Sequence, residues 1–594
     1  MATSEYDNSE NLDKMNANLA RIEALTQRLI AAFAQKQPQR QDLQGPDASL
    51  YANAATAYWS EMVKNPSKVL EHQVEYWGKT LKHFVDVQEA LRAGNLTAPE
   101  DNSPEDKRFT NPLWKTHPYF NYIKQQYLLS SQAIEKAIAD IDDLNPREKT
   151  RLEFFGKQIL DMMAPTNFLG TNPDALMKAV ETEGESLVKG LENLVHDIEA
   201  NKGELLVTLA DRDAFKVGGN IGTSEGAVVY RNRMFELIQY KPQTETVHET
   251  PLLIFPPWIN KFYILDLKAQ NSFIKWVTEQ GYTLFVVSWI NPDASYADVG
   301  MDTYVEEGFL EAIAKVKEIC DVKTVNTIGY CIAGTTLSLT LALLNKRKDR
   351  SVKSATFFTT LTDFSDQGET GVFLENDFVD GIEAEAKEHG YLRSYFMTKT
   401  FSFLRSNDLI YGPAIRSYML GEAPPAFDLL YWNGDGANLP GRMTIEYLRG
   451  LCQSNTFCED GYEMLGETLH IRDVKVPLCS IACETDHIAA WKSCFRGVAQ
   501  MGSTNKTFIL SESGHIAGIV NPPAKKKYGH YTSDAPIDDP ESWKAEADFT
   551  PGSWWPRWEE WLKSRSGKMI PARALPEETL APAPGTYVVA NPNG

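Results

Sequence analysis

The apolar positions of this chain change period as it proceeds. Over residues 1 to about 35, Leu12, Met15, Leu19, Ile22, Leu29 and Phe33 recur at near-heptad spacing. They predict an amphipathic helix whose stripe must bury against something: its own domain, a sister copy, a partner helix or an apolar surface. Lys36 to about Asp47 is polar, contains proline and reads as a linker. Residues 48 to about 210 predict further helices, with breaks at Leu96–Lys107 and at Gly170-Thr-Asn-Pro173. From about residue 217, short apolar runs replace helical periodicity. Ala227-Val-Val-Tyr230, Met234–Tyr240, Leu252-Leu-Ile-Phe255 and Leu284-Phe-Val-Val-Ser288 read as strands, with Gln270–Thr278 a helix between the last two. Such alternation predicts a mainly parallel sheet covered on both faces. After the strand Ala355-Thr-Phe-Phe-Thr-Thr360 the alternation stops. Residues from about 363 to 470 read as a helix-rich, aromatic insertion, after which Val476–Ala482 and Lys506–Leu510 resume the strands.

One junction in this pattern carries chemistry. The run Lys323–Ile328 leads into Gly329-Tyr330-Cys331-Ile332-Ala333-Gly334, and an apolar helix start leads out. That is the layout of a nucleophile elbow, a strained strand-to-helix turn that presents one side chain. Here the presented residue is Cys331. A thiolate attacks thioesters readily and leaves as readily, which favours acyl transfer over plain hydrolysis. The bland alternative is a buried core cysteine. Downstream, strand-like runs lead into Glu484-Thr-Asp486-His487 and into Ser511-Glu-Ser-Gly514-His515-Ile-Ala-Gly518. Nucleophile, acid and histidine therefore follow in the order of an α/β-hydrolase. The long gap between Cys331 and Asp486 demands an insertion, which residues 363–470 supply. We expect a cap over the elbow, with Trp432–Pro440 as a turn-rich moving part. A cap excludes water from an acyl intermediate.

The elbow, Pro256–Asp266, Ser288-Trp-Ile-Asn-Pro-Asp293, Asp486-His487 and Ser513–Gly518 together resemble class I polyhydroxyalkanoate synthases. Asn521-Pro-Pro523 and Gly552-Ser-Trp-Trp555 add to the likeness, which runs from about Tyr119 to the Pro-rich end. The family's box is usually Gly-x-Cys-x-Gly-Gly, and this chain has Ala333 at the first closing glycine. The resemblance implies an acyltransferase that polymerises (R)-3-hydroxyacyl-coenzyme A into polyester and releases coenzyme A. It implies no metal or redox cofactor, and a homodimer working in the cytoplasm at polyester granules. The rivals are a thioesterase or esterase on the same scaffold and a non-enzymatic granule-coating protein.

Within that reading Cys331 is the nucleophile and His515 its base. An ordinary thiol, with a pKa of about 8.5, is mostly protonated at neutral pH, so a base is needed. His487 is the rival base, read as a loop residue that shapes the site. Asp486 either orients His515 or assists the incoming hydroxyl. The resemblance favours the hydroxyl, and the residues alone leave both roles open. The oxyanion donors should be the backbone N–H of Ile332 and one from the loop Pro256-Pro-Trp-Ile-Asn260. Prolines cannot donate, so Trp258 or Ile259 is expected.

Composition narrows the alternatives. A length of 594 residues predicts more than one domain, set here as a helical region over 1–210 and an α/β-hydrolase domain over 211–594. The net charge of −21 argues against nucleic-acid binding. No apolar run is long enough for a transmembrane helix, and the acidic start is unlike a signal peptide. Seven cysteines in so long a chain fit reduced thiols. No Cys-x-x-Cys or His-x-x-x-His pattern points to zinc. Lys525-Lys-Lys527, just after the His515 loop, reads first as a solvated loop and second as a contact for coenzyme A phosphates.

Overall fold

The computed structural model describes residues 3–34, 52–57, parts of 74–92, 105–141 and 144–590, with side chains of the first helix described from residue 17. The expected linker over 36–47 and most of the break at 96–107 lie outside them. The chain divides into two units, Met1–Asp211 with Ser402–Pro425, and Arg212–Phe401 with Ala426–Gly594.

The first unit is helical. Its main elements are α1 (Thr3–Ala34), α2 (Pro118–Ala139), α3 (Pro146–Met162) and α4 (Glu185–Ala200). Asn145 caps α3, its side chain accepting from the Glu148 amide, and Pro146 opens the first turn. Helix α1 docks on α4. Arg21 reaches Glu185 and Glu192 at 2.9 and 2.8 Å, and Arg28 reaches Glu199 at 2.6 Å. Leu25 and Ala32 are buried in this seam, whereas Leu19, Ile22 and Phe33 of the expected stripe are exposed. Leu12 and Met15 have no described side chains. The two arginines lie seven residues apart on the face that also buries Leu25 and Ala32, and their ion pairs flank that apolar seam.

The segment Ser402–Pro425 also packs on α4. The Tyr418 hydroxyl donates to Asp197 at 2.6 Å, and Asn193 donates to the carbonyls of Ser417 and Glu422. A Cβ at Gly190 would lie 2.0 Å from the Tyr418 carbonyl oxygen, so the backbones meet there only because the helix carries glycine. The insertion expected as one cap over 363–470 is thus divided, its middle folding with the N-terminal helices.

The second unit is built on one sheet. Its strands are β1 (Gly226–Arg231), β2 (Phe235–Tyr240), β3 (Leu252–Phe255), β4 (Leu284–Trp289), β5 (Val325–Tyr330), β6 (Val352–Phe358), β7 (Leu478–Cys483), β8 (Lys506–Ser511), β9 (His530–Thr532), β10 (Asp548–Thr550) and β11 (Ala581–Pro582). Their spatial order is β10-β9-β8-β7-β6-β5-β3-β4-β2-β1-β11. Strands β3 to β8 run parallel, while β1, β2, β9, β10 and β11 pair antiparallel at the edges. The order β1-β2-β4-β3-β5-β6-β7-β8 with an antiparallel β2 is that of an α/β-hydrolase. Strands β3, β4, β5 and β7 are buried at every residue, as a sheet with helices on both faces requires. One face packs α6 (Glu311–Cys320) and α7 (Ile332–Lys346) into a core with Val316, Leu337 and Leu341. The other packs α5 (Phe273–Glu279) and α8 (Trp555–Lys563), where the Phe273 ring meets those of Trp554, Trp555 and Trp558. The catalytic-type loops all leave the carboxyl ends of β3, β5, β7 and β8, which brings them to one edge of the sheet.

Candidate active site

Cys331 stands alone between β5 and α7, with φ 55° and ψ −125°. A non-glycine residue in that region stores strain on the order of 1–3 kcal/mol and persists only where its surroundings hold it. Here its N–H donates to Phe358 O at 2.9 Å, and its carbonyl accepts from Gly334 N at 2.8 Å and Thr335 N at 3.2 Å. The flanking glycines are steric requirements. A Cβ at Gly329 would lie 2.7 Å from Gly334 Cα, and one at Gly334 would lie 2.0 Å from Thr360 Oγ1. Ala333, between them, is fully buried in the apolar core beside α7, so its methyl has a place. The turn tolerates alanine at 333 and not at 334.

His515 and Asp486 meet below this elbow. Asp486 follows β7, and one carboxylate oxygen accepts from the Ile488 and Ala489 amides at 2.8 and 2.9 Å. The other accepts from His515 Nδ1 at 2.7 Å. That fixes the imidazole and leaves its second nitrogen free of Asp486, on a ring close enough to Cys331 for a thiolate there to act on it. The Asp486 side chain is fully enclosed and His515 is 7% exposed. Burial alone would lower the pKa of the imidazole. The negative charges of Asp486 and of a Cys331 thiolate outweigh it and hold His515 up at about 10. The ring bonded to the Asp486 carboxylate is that of His515, while His487 lies half-buried on the same loop.

The residues that hold His515 in place were not singled out from the sequence. Tyr330, fully buried at the end of β5, donates to the His515 carbonyl at 3.0 Å. The indoles of Trp554 and Trp555 donate to Gly518 O at 2.7 Å and Ile519 O at 2.9 Å. Ser511 donates to Gly518 O as well. A Cβ at Gly518 would lie 2.4 Å from Cys483 Sγ, so the loop packs directly on β7. The Trp pair was visible as a motif, and its hydrogen-bonding task needed the fold. Tyr447 is a further neighbour, within electrostatic reach of Cys331 and packed edge-on against Phe364. Burial pushes its hydroxyl pKa well up, so it stays neutral.

Ile332 opens α7, and its amide is one of those that no intrahelical carbonyl serves. The loop after β3 lies opposite in sequence logic and is held firmly. Trp289 Nε1 donates to Pro256 O at 2.8 Å, and the buried Trp258 ring stacks on Tyr304. The stretch Trp432–Pro440, expected as a moving part, is tied to this loop. Trp432 Nε1 donates to Lys261 O at 2.7 Å, and Ala437 N donates to Ile259 O at 2.9 Å. Asp435 takes both the Tyr263 hydroxyl and the Lys261 ammonium, at 2.8 and 2.7 Å. Asn438 joins Asn291 and Pro292 of the Ser288–Asp293 motif. Turn-forming composition therefore marks tight hydrogen-bonded geometry here, because Asp435 and Asn438 both have partners. Among the described residues no group of three or more potential ligands could hold a metal ion, and no helix is long and apolar enough to cross a membrane.

Comparison with known proteins places relatives beside this geometry. Residues 105–277 match the family model for the poly-beta-hydroxybutyrate polymerase (PhaC) N-terminus. A poly(3-hydroxyalkanoate) polymerase of Methylorubrum extorquens is 41% identical over 541 residues, covering 89% of this chain and 87% of its own. The poly(3-hydroxyalkanoate) polymerase subunit PhaC of Rhizobium meliloti is 38% identical over 533 residues, covering 89% and 87%. That of Cupriavidus necator is 38% identical, covering 86% and 87%. Among solved structures, a putative lipase from Sulfolobus solfataricus aligns over 58% of this chain and 98% of its own, at 11% identity and a TM-score of 0.32.

Proposed function

The chain belongs to the poly(3-hydroxyalkanoate) polymerase family, and we propose that it polymerises (R)-3-hydroxyacyl-coenzyme A through a covalent thioester on Cys331. It is an acyltransferase. The observation that carries the covalent reading is the strained Cys331 turn, with the buried His515–Asp486 pair, 2.7 Å apart, within its electrostatic reach. His515 takes the Cys331 thiol proton, and the sulfur attacks the thioester carbonyl. The carbon–sulfur bond to coenzyme A breaks, and its thiolate receives the proton back from His515. In elongation the 3-hydroxyl of an incoming hydroxyacyl thioester attacks the Cys331-bound acyl carbonyl. An ester forms, the Cys331 sulfur leaves, and the hydroxyl proton passes to His515. The lengthened chain, still a coenzyme A thioester, re-acylates Cys331 and releases coenzyme A.

The enclosed Asp486 carboxylate supports an orienting role, since both its oxygens are already engaged. The Ile332 amide and one from Trp258 or Ile259 would receive the developing oxyanion. No cofactor enters these steps. The working assembly is proposed as a homodimer at the surface of cytoplasmic polyester granules. Sedimentation of the protein with and without polymer tests that part. The chemistry is tested by quenching the enzyme with 3-hydroxybutyryl-coenzyme A and isolating acyl-enzyme. Label on Cys331, absent in Cys331→Ala, is expected. Full turnover by a folded Cys331→Ala variant overturns it.

A further inference from the structure

We infer that Lys268, Lys525 and Lys527 form a phosphate-binding patch that holds the nucleotide end of the coenzyme A thioester. This rests on the acyl-transfer reading given above. The lysines Lys525, Lys526 and Lys527 follow His515 by ten to twelve residues and are all exposed. The chain that presents them is fixed. Trp554 and Trp555 hold Gly518 and Ile519, and Asn521 Nδ2 donates to Tyr528 O at 2.8 Å across the base of the lysine turn. Lys268 reaches the same place from another element, 3.4 Å from Asp428 and over the Phe215 ring. Partial burial lowers the Lys525 pKa; the charges of Asp428, Lys527 and Lys268 act on it as well, Asp428 in the opposite direction.

The charge balance of the cluster is what points to a ligand. Several lysines elsewhere in this unit meet carboxylates, as Lys261 meets Asp435 and Lys544 meets Glu484, and others meet neutral oxygens, as Lys317 meets Ser351 and Lys506 meets Ala499 O. Among the described residues, Lys525, Lys526 and Lys527 form no ion pair, and Asp428 answers only one cation of the group. In a chain of net charge −21, a self-repelling cationic cluster is a local exception that an anion would relieve. Flexible, exposed ammonium groups suit phosphates as point charges. The position fits the nucleotide end of the substrate. Leu429 and Tyr431, just after Asp428, and Ile516, just after His515, pack on the same apolar cluster as Cys331. The thioester end belongs at that cluster, and the phosphates belong at its charged rim.

The test compares two substrates that share the reacting thioester. One is 3-hydroxybutyryl-coenzyme A. The other is the 3-hydroxybutyryl thioester of N-acetylcysteamine, which has no nucleotide and no phosphate. In Lys525→Ala/Lys527→Ala and in Lys268→Ala, the kcat/KM preference for the coenzyme A thioester should fall roughly tenfold, mainly through KM. Adenosine 3′,5′-bisphosphate should bind the wild-type protein, measured by calorimetry without turnover, and bind the variants more weakly. Equal losses on both thioesters, or unchanged bisphosphate binding, overturn the patch. Absence of acyl-enzyme in the wild type would instead remove the covalent reading, while the calorimetric arm still decides the patch.

Discussion

The Tyr330 hydroxyl donates to the backbone carbonyl of His515 at 3.0 Å, so the residue before the proposed nucleophile holds the loop that carries its proposed base. Two strands thus deliver their groups as one assembly. Tyr330→Phe removes the donor and leaves a buried carbonyl unserved, a loss of about 1–3 kcal/mol in stability. We expect kcat to fall by more than KM rises, because the ring that moves is the base and not a binding surface. Steady-state kinetics beside thermal unfolding checks this. Wild-type kcat in a folded Tyr330→Phe protein would show that the loop holds its register without the bond.

The strain at Cys331 can be read as stability. Both Cys331→Ala and Cys331→Gly abolish acylation, but only glycine relaxes φ 55°. Relief of strain on the order of 1–3 kcal/mol competes with a glycine entropy cost of about 0.5–1 kcal/mol. Cys331→Gly should therefore unfold at higher denaturant than Cys331→Ala. The reverse order would mean that the turn is held without strain.

Asp486→Asn should slow acylation and elongation together, since the carboxylate meets His515 Nδ1 and two loop amides. Rapid-quench measurement of both steps decides it, and a defect confined to elongation would restore the hydroxyl-assisting role. The same variant has a pH signature. The His515 pKa is raised to about 10 in the fold from about 6.5 unfolded. The stability from that pairing is complete below about pH 6.5 and fades as pH rises through 10. The stability gap between wild type and Asp486→Asn should narrow across that window.

The elbow glycines are unequal. Gly334→Ala would drive a methyl into Thr360, whose Oγ1 is fixed by its bond to Phe358 O at 3.0 Å. A loss of 1–3 kcal/mol or more is expected from such overpacking, with partial rescue by Thr360→Ala. Ala333→Gly should cost about 1 kcal/mol or less. Equal tolerance at the two positions, measured by unfolding, would contradict the packing described here.

How much of this was legible beforehand varies from element to element. Strands β3 to β8 were readable because strands buried on both faces are continuous apolar runs, and the order Cys331, Asp486, His515 because topology dictates it. The Asp486–His515 pairing followed from that order. The seam of α1 was not legible. Two adjoining faces of that helix are apolar, and the partners of the docked one, among them carboxylates more than 160 positions from Arg21 and Arg28, are not marked in the sequence. The same holds for Ser402–Pro425, whose aromatic residues fit a cap as well as a helical unit until Tyr418 is seen on Asp197. Tyr330 gave no signal, because a buried strand tyrosine and a tyrosine that bonds a distant carbonyl look alike in sequence.

The ties between Trp432–Pro440 and the loop after β3 have a consequence for how the enzyme breathes. Asp435 grips Lys261 and Tyr263, and Ala437 grips Ile259, so a displacement of either stretch would carry the other with it. If such a displacement admits substrate, it would also withdraw Trp258 and Ile259, the proposed oxyanion donors. An open molecule would then be a chemically idle one, and gating and activation would be a single event.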